Sequence, residues 1–355
     1  MERWFSLFLL PLLLAACETL IYPDLPFEGD VLVMNARLST ADSVHTVHLA
    51  WSRRDSVAYV ADAAVSCRVN GVAVATASGA KEGAYTFEAR FAPGDEVVLA
   101  ADAAGHHAEA AVTVPATPVV DHPRWDRVRH AETAEEEPRD YYRVKVDVHD
   151  IPGQRNFYKA GLWSSYSVPG LGGYVRDEAT GEYVQGTLSV TRQVRERYVT
   201  NCYDPLLGSS LDLSFGANDP YWNADELNYY RNLWNLFPDT SFADGVHTLV
   251  LAGRCSEVMR RPSATFEPDR QYEADACIRV RVFSLSEEDW RHLNMSRADL
   301  ADFSIAGLDI DVYEQTQPYP ENVTGGMGFV TVEAAVDVVV DIGPLRGTFH
   351  EIFPD

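Results

Sequence analysis

Hydrophobic and polar residues alternate with a period of two along most of the chain, and this alternation predicts β-strands. Between residues 63 and 75 the alternation surrounds Asn70-Gly71, a dipeptide typical of tight hairpin turns. Further short strands are predicted at 31–34, 44–51, 83–87, 96–101 and 108–115. Strands this short and this closely spaced, without a helical period, predict an immunoglobulin-like β-sandwich over residues 29–117.

The remainder of the chain predicts a larger antiparallel β domain over residues 141–355. Two segments depart from the strand pattern there. Residues 224–237 predict one helix, and Ser286 is a candidate N-cap of another, with Asp289 three residues later. The predicted fold class is therefore mainly all-β, with one or two short helices. The strands of this domain are predicted at 141–148, 157–166, 187–194, 210–215, 246–252, 277–285 and 328–340.

The stretch between the two predicted domains is rich in proline and acidic residues. Pro115, Pro118 and Pro123 restrict the backbone, and residues 132–137 form a hydrophilic, acidic run. Such a composition buries little apolar surface, so residues 118–140 are predicted to be a linker.

The first residues carry the features of a bacterial lipoprotein signal. An apolar run from Trp4 to Leu14 leads into Ala15-Ala16-Cys17. The run is too short to span a bilayer, which needs ~20 apolar residues, but it suits the core of a secretory signal. An ordinary secretory signal would leave the cysteine at this position unexplained. We therefore expect a signal peptide over residues 1–16, a lipidated Cys17, and an extended tether over residues 17–28.

The composition and charge of the chain are those of a folded protein that follows this anchor. Hydrophobic residues make up 46% of the chain, which is enough to fill a core. The formal net charge is −24, from 53 acidic and 29 basic residues. An acidic field of this size repels phosphate backbones, so we expect no nucleic-acid partner.

Four cysteines follow Cys17, in a chain expected to enter an oxidising compartment. Cys67 lies in an alternating strand and is predicted to be a small buried hydrophobe. Cys202, Cys255 and Cys277 leave room for one disulfide and one spare thiol. Cys255 and Cys277 are the nearest in sequence and form the candidate pair. No two cysteines have the close spacing of a zinc site, so neither a metal nor a cofactor is predicted.

Sequence signatures of catalysis are nearly absent. The chain has neither an HExxH zinc motif nor a GxSxG nucleophile motif. Gly325-Gly326-Met327-Gly328 lacks the Lys-Ser/Thr of a phosphate loop, so its glycines are assigned to unusual backbone conformations. The acidic run at residues 287–289 fits either a pair of catalytic carboxylates or the start of a helix. The helix start is favoured because consecutive helical residues point in different directions. No enzymatic activity is predicted.

The aromatic residues of segment 221–237 are the candidate contacts for a ligand or partner. Tyr230, Trp234 and Phe237 recur at helical spacing, which favours a buried face. Tyr221 and Trp222 follow Asp219-Pro220 in a predicted turn and lie off that face. These two rings are therefore the aromatic side chains expected to remain exposed.

Three segments together resemble one family. They are Asp150-Ile151-Pro152-Gly153-Gln154-Arg155-Asn156-Phe157-Tyr158, Arg281-Val282-Phe283-Ser284-Leu285-Ser286-Glu287-Glu288-Asp289-Trp290 and Glu321-Asn322-Val323-Thr324-Gly325-Gly326-Met327-Gly328-Phe329. In this order, after a lipoprotein signal, they are similar to the Bacteroidetes lipoproteins catalogued as domain of unknown function 4249. The chain lacks that family's cysteine-rich stretch near the end, which leaves the pairing of Cys202 open.

The resemblance implies an outer-membrane lipoprotein, commonly encoded near TonB-dependent transporters and without an established enzymatic activity or assigned catalytic residues. We therefore expect a binding or accessory protein, held to the outer membrane by its lipid and facing either the periplasm or the cell surface. A TonB-dependent transporter is the expected partner. Two alternatives stay open at this stage: a surface enzyme that cleaves glycans or peptides, and a structural envelope or adhesion protein.

Overall fold

The computed structural model confirms the mainly β fold class. It describes residues 29–53, 56–78, 81–130, 137–177, 179–194, 203–204, 209–210, 236–242, 244–300 and 320–354. Among these residues, no helix is both long and apolar enough to cross a membrane.

The strands and helices follow one another along the chain in this order. The first eight strands are β1 (Val31–Ser39), β2 (Val44–Arg53), β3 (Ser56–Tyr59), β4 (Ala64–Val69), β5 (Val72–Ser78), β6 (Ala84–Glu88), β7 (Glu96–Ala103) and β8 (His106–Thr113). Next come β9 (Val119–His130), β10 (Arg139–His149), β11 (Phe157–Arg176), β12 (Tyr183–Val194), β13 (Tyr203–Asp204), β14 (Ser209–Ser210), β15 (Leu236–Pro238) and β16 (Val246–Arg254). The last elements are α1 (Cys255–Val258), β17 (Tyr272–Leu285), α2 (Glu287–Leu300), β18 (Val330–Asp341), β19 (Leu345–Gly347) and α3 (Phe349–Ile352).

The N-terminal unit is a β-sandwich, as the alternation predicts. Its outer sheet has the strand order β5-β4-β7-β8. This sheet packs on β1, β2 and β6 through a core that includes Leu49, Tyr85 and Leu99. Cys67 lies in the same core as a free thiol, which confirms its prediction as a small buried hydrophobe.

The second unit is a sandwich of longer strands. A three-stranded sheet of order β16-β10-β9 packs on β12, β11, β17 and the second half of β18. Inward-facing valines such as Val144, Val146 and Val280 fill the core, while the alternate residues of each strand face outward. This alternation of inward and outward side chains confirms the period of two predicted from the sequence.

Strand β18 belongs to both units, which corrects the predicted domain boundaries. Its first residues pair in parallel with β1, from Ala36↔Val330 to Ser39↔Glu333. From Ala334 onward it pairs antiparallel with β17. The N-terminal sandwich is therefore completed by a strand from near the end of the chain, and residues 29–117 do not form a separate sandwich. One continuous sheet, of order β12-β11-β17-β18-β1-β2-β3, runs through both units.

The glycine-rich turn before β18 fits this strand into the N-terminal unit. Met34 donates its N–H to the Met327 carbonyl at 2.9 Å. Gly328 has φ +120°, and a Cβ there would lie 2.2 Å from the Met34 carbonyl oxygen. Only glycine permits so close an approach, in agreement with the conformational role predicted for this turn.

The predicted linker over residues 118–140 is wrong for most of its length. Residues 119–130 form β9, which pairs antiparallel with β10 from Val119↔His149 to His130↔Arg139. Strand β9 lies at an edge of its three-stranded sheet, where charged side chains reach water and a proline costs no ladder hydrogen bond. An edge strand can therefore be as rich in charged residues and proline as a linker, which is why the sequence predicted a linker here.

The two helix predictions have different outcomes. Ser286 Oγ accepts a hydrogen bond from the Asp289 N–H at 3.1 Å, which confirms Ser286 as the N-cap of α2. The helix predicted over residues 224–237 is wrong at its end, because Leu236–Pro238 form strand β15 against β11. Phe237 is fully buried there, so pairing with the sheet satisfies both its backbone and its apolar ring. Residues 224–235 lie outside the described part of the chain.

Candidate functional site

The hairpin of β11 and β12 carries four exposed apolar side chains of the second unit: Tyr174, Val175, Tyr183 and Val184. Between Pro169 and Tyr174 the pairing register shifts, which marks a bulge in β11. A Cβ on Gly172 would lie 2.8 Å from the backbone of Gly186 and Thr187. Glycine at this position lets the two backbones approach closely where the strand bends.

Beyond this bulge, the tip of the hairpin presents tyrosines to solvent. Tyr174 is 73% exposed and Tyr183 is 71% exposed. The register pairs Tyr174 with Gln185 and Arg176 with Tyr183, which places these four side chains on one face. The other face carries Val175 opposite Val184, which are also exposed. The tip thus displays two tyrosines and one arginine on one face and two valines on the other, and its turn carries the acidic residues Asp177 and Glu182.

A groove adjoins the tyrosine face of the tip. Its volume is about 510 Å³, and Tyr174 and Gln185 form part of its wall. The segment before β17 supplies the opposite wall, including Phe266, whose ring stacks on Phe349 with centroids 3.9 Å apart. The wall on that side is held in place because Phe349 is buried in the core. The groove and the tip together form a concave, partly apolar site next to exposed aromatic rings, which is typical of a binding surface.

Four charged side chains meet where the two units join, and we call them the junction cluster: Arg37, Lys159, Asp289 and Glu333. Arg37 Nη1 donates to Asp289 Oδ2 at 2.8 Å and also to Glu333 Oε1. Lys159 Nζ donates to the same Glu333 oxygen. The side chain of Asp289 is 0% exposed and that of Glu333 is 3% exposed. β1, β11, β18 and α2 each contribute one residue.

The electrostatics of the junction cluster fit a structural role. Burial raises the pKa of Asp289, while Arg37 opposes that shift. Burial alone would lower the pKa of Arg37, but the carboxylates of Asp289 and Glu333 raise it above its usual value. Two carboxylates and two cations balance one another, and neither carboxylate is open to a substrate. The cluster therefore ties the two units together.

A second group of titratable side chains lies on the outer strands β9 and β10, and we call it the bulge cluster: Asp121, His122, Asp147 and His149. Ligand atoms of Asp121, His122 and Asp147 all lie within 4.8 Å of one another. His122 has φ +46°, and the β9–β10 register shifts between Lys145 and Asp147. This cluster contains the residues best suited to hold a metal ion among those that the structure describes.

Comparison with known proteins agrees with the resemblance of the sequence motifs. The family described as a domain of unknown function (DUF4249) matches residues 18–337. The chain belongs to this family. No curated protein matches it. The DUF4249 match covers both sandwiches and most of β18, in keeping with the shared sheet.

The sequence predicts five site residues besides Cys202, and they have unequal outcomes in this DUF4249 chain. Cys17, Tyr221 and Trp222 lie outside the described residues, as does Cys202, so their roles stay predictions. The predicted disulfide between Cys255 and Cys277 is wrong, because both are free thiols. Cys255 lies inside the second core, whereas Cys277 occupies an outward position of β17 between the inward Ala276 and Ile278. Burial raises the pKa of the Cys255 thiol to about 12, so it is unreactive.

Sequence reasoning missed the hairpin tip and the bulge cluster of the DUF4249 chain. The tip could have been found from Tyr174 and Tyr183, which flank a polar turn where a solvent-exposed loop is expected. The bulge cluster is harder to predict from the sequence. Asp147 and His149 are two apart on a strand and so share a face, but their partners on β9 lie in a segment interpreted as a linker.

Proposed function

We propose that this chain is a lipid-anchored binding or accessory protein of the outer membrane that works with a TonB-dependent transporter. The lipoprotein signal ending at Cys17 supports the anchor, and the DUF4249 match begins at the next residue, 18. Membership of the family supports the association with a transporter, which is what the resemblance implies.

The observation that carries the binding role is the exposed tyrosine face of the hairpin tip beside the groove. Tyrosine and arginine are enriched at the energetic centres of protein interfaces, because they contribute large contact areas and directional hydrogen bonds. Tyr174, Arg176 and Tyr183 provide this combination on one face. A protein partner that covered the tip would also close the groove behind Tyr174.

The carboxylates of the junction cluster do not supply the accessible pair that a surface hydrolase needs. A glycoside hydrolase needs two carboxylates that flank an accessible bond. Asp289 and Glu333 are close together but are buried against Arg37 and Lys159. Turnover of a glycan or peptide by the purified chain, abolished by a single carboxylate substitution, would favour the enzyme alternative instead.

The test of the binding role removes both rings of the tip. Each exposed ring contributes about 0.5–1.5 kcal/mol when it stacks on a partner, so the double variant Tyr174→Ala/Tyr183→Ala should bind roughly tenfold more weakly. Affinity is measured in detergent with a purified TonB-dependent transporter from the same cells. The melting temperature should change little, because both rings are exposed.

Tyr59→Ala is the matched control, since Tyr59 is 67% exposed on the N-terminal unit, away from the tip. It should leave the affinity unchanged. If both variants bind as tightly as the parent chain, the tip is not the binding surface.

The test of the anchor is metabolic labelling with a clickable fatty acid. The parent chain should carry the label and fractionate with membranes. Cys17→Ala should lose the label, because the acylated thiol is the only lipid attachment that the proposal includes, and it should be released from membranes washed free of the transporter. A labelled, membrane-bound Cys17→Ala chain would overturn the anchor and leave the hairpin test unaffected.

A further inference from the structure

The bulge cluster brings two carboxylates and two imidazoles to one place on the surface. Asp121 of β9 lies directly opposite Asp147 of β10, and His149 opposes Val119 two positions further along the pair. Alternate residues of a strand share a face, so Asp147 and His149 point to the same side of the sheet. His122 reaches this side from the bulge that follows Asp121.

The ligand atoms lie close together, and one of the three distances between them already equals the spacing around a tetrahedral ion. His122 Nδ1 lies 2.8 Å from Asp121 Oδ1 and 3.5 Å from Asp147 Oδ2. His149 Nε2 lies 2.9 Å from the same Asp121 oxygen. Nitrogen and oxygen ligands about 2.0–2.2 Å from a tetrahedral zinc ion lie roughly 3.3–3.5 Å from one another. An ion would therefore require Asp121 to move slightly away from the two imidazole nitrogens. Asp121, His122 and Asp147 already lie within 4.8 Å of one another, and His149 joins them through its contact with Asp121.

The charges of the cluster favour a cation in this place. Two carboxylates directly opposite each other across a strand pair repel each other. Arg124 offsets Asp147 through bonds of 3.0 and 3.1 Å, and Thr248 donates to Asp147 Oδ1 at 2.7 Å. Asp121 has only the imidazoles of His122 and His149 as ionic partners among the described residues.

We propose that Asp121, His122, Asp147 and His149 bind one divalent transition-metal ion of the zinc class. Two imidazoles with two carboxylates suit zinc and exclude calcium and magnesium, which prefer oxygen ligands alone. The side chain of His122 is 71% exposed, so an ion enters from solvent without any opening of the fold.

Binding also changes which ring nitrogen of each histidine carries a proton. Each histidine must present a lone pair at the nitrogen that now contacts Asp121. The proton on that nitrogen moves to the other ring nitrogen or is released to solvent. Thr248 donates to Asp147 Oδ1 and Arg124 donates to both oxygens of Asp147, so these two residues orient it as outer partners of a metal ligand.

The test is isothermal titration of the full chain with zinc chloride. The parent chain should bind one ion. His122→Asn/His149→Gln should bind at least about tenfold more weakly, because two of four ligands are lost. Asparagine is chosen at position 122 because it tolerates the left-handed backbone that His122 adopts. Cobalt gives a second readout, since tetrahedral cobalt absorbs strongly in the visible range and the double variant should lose that band.

The matched control is His107→Ala. His107 forms an exposed pair with Asp102 at 2.8 Å and has no third ligand nearby among the described residues, so its loss should leave zinc binding unchanged. Equal zinc binding by the parent chain and the double variant would overturn the proposal, and so would an equal loss in His107→Ala. If the double variant does not fold by circular dichroism, the exposed single variant His122→Asn decides the same question.

Discussion

The junction cluster and the bulge cluster contain almost the same chemistry in different surroundings. Each combines two carboxylates with two basic side chains on neighbouring strands or helices. Asp289 is fully buried, whereas Asp121 and His122 face water. The buried groups are fixed by one another and reinforce the join between units. The exposed groups keep ligand atoms within reach of solvent. Burial, and not composition, decides whether such a group is structural or available to bind.

The largest effect is expected from breaking the junction cluster. Glu333→Gln removes the charge that both Arg37 and Lys159 contact. Leaving a buried cation without its partner typically costs about 3–5 kcal/mol, so the free energy of unfolding should fall by this amount. Denaturation in urea, followed by circular dichroism, measures the change.

An exposed pair serves as the control for that experiment. Glu273 accepts two hydrogen bonds from Arg346, and both side chains are at least half exposed. Glu273→Gln should cost less than about 1 kcal/mol, because water screens the pair. If Glu333→Gln and Glu273→Gln lose the same free energy of unfolding, burial does not decide how much a charged pair contributes to stability.

A smaller effect is expected in the pH dependence of stability, with opposite signs for the two clusters. Arg124 lowers the pKa of Asp147 in the folded state. Asp147 therefore stabilises the fold above its ordinary pKa of about 3.9, and that contribution is lost as pH falls through the lowered value.

Burial raises the pKa of Asp289, so between the ordinary pKa and the raised one the folded chain keeps a proton that the unfolded chain has lost. Its contribution is therefore largest below about pH 3.9 and declines as pH rises through the raised value. Urea midpoints between pH 3 and pH 7, in buffer with a chelator, test both signs. Asp147→Asn should flatten the rise in stability with pH, and Asp289→Asn should steepen it. Equal slopes in the two variants would contradict the comparison.

Local sequence pattern was sufficient to predict most strands and several single residues. The Asn70-Gly71 turn joins β4 to β5, Cys67 is buried and Ser286 caps α2. Each of these features depends on residues that are near one another in the sequence. The motifs at residues 150–158, 281–290 and 321–329 also identified the family that the comparison confirms.

Features that depend on distant partners could not be read from the sequence. The parallel pairing of β1 with β18 decides where the first unit ends, yet neither strand carries a signal for its partner. The outward direction of Cys277 depends on the register of β17, so nearness in sequence suggested a disulfide that the sheet does not permit. The bulge cluster forms because residues 119–130 are a strand that pairs with β10. The charged composition of these residues led to their prediction as a linker.

The sharing of β18 also has a consequence for the order in which the molecule assembles. Phe329 donates a hydrogen bond to Asn35, 294 residues earlier in the chain. Because a chain emerges from the ribosome with its N-terminus first, β1 must wait for almost all of the protein before it gains its second neighbour. Until then its open edge is available for wrong pairing, and closing so long a loop slows folding. The two sandwiches are therefore distinct in shape, but they are completed together, because both need β18.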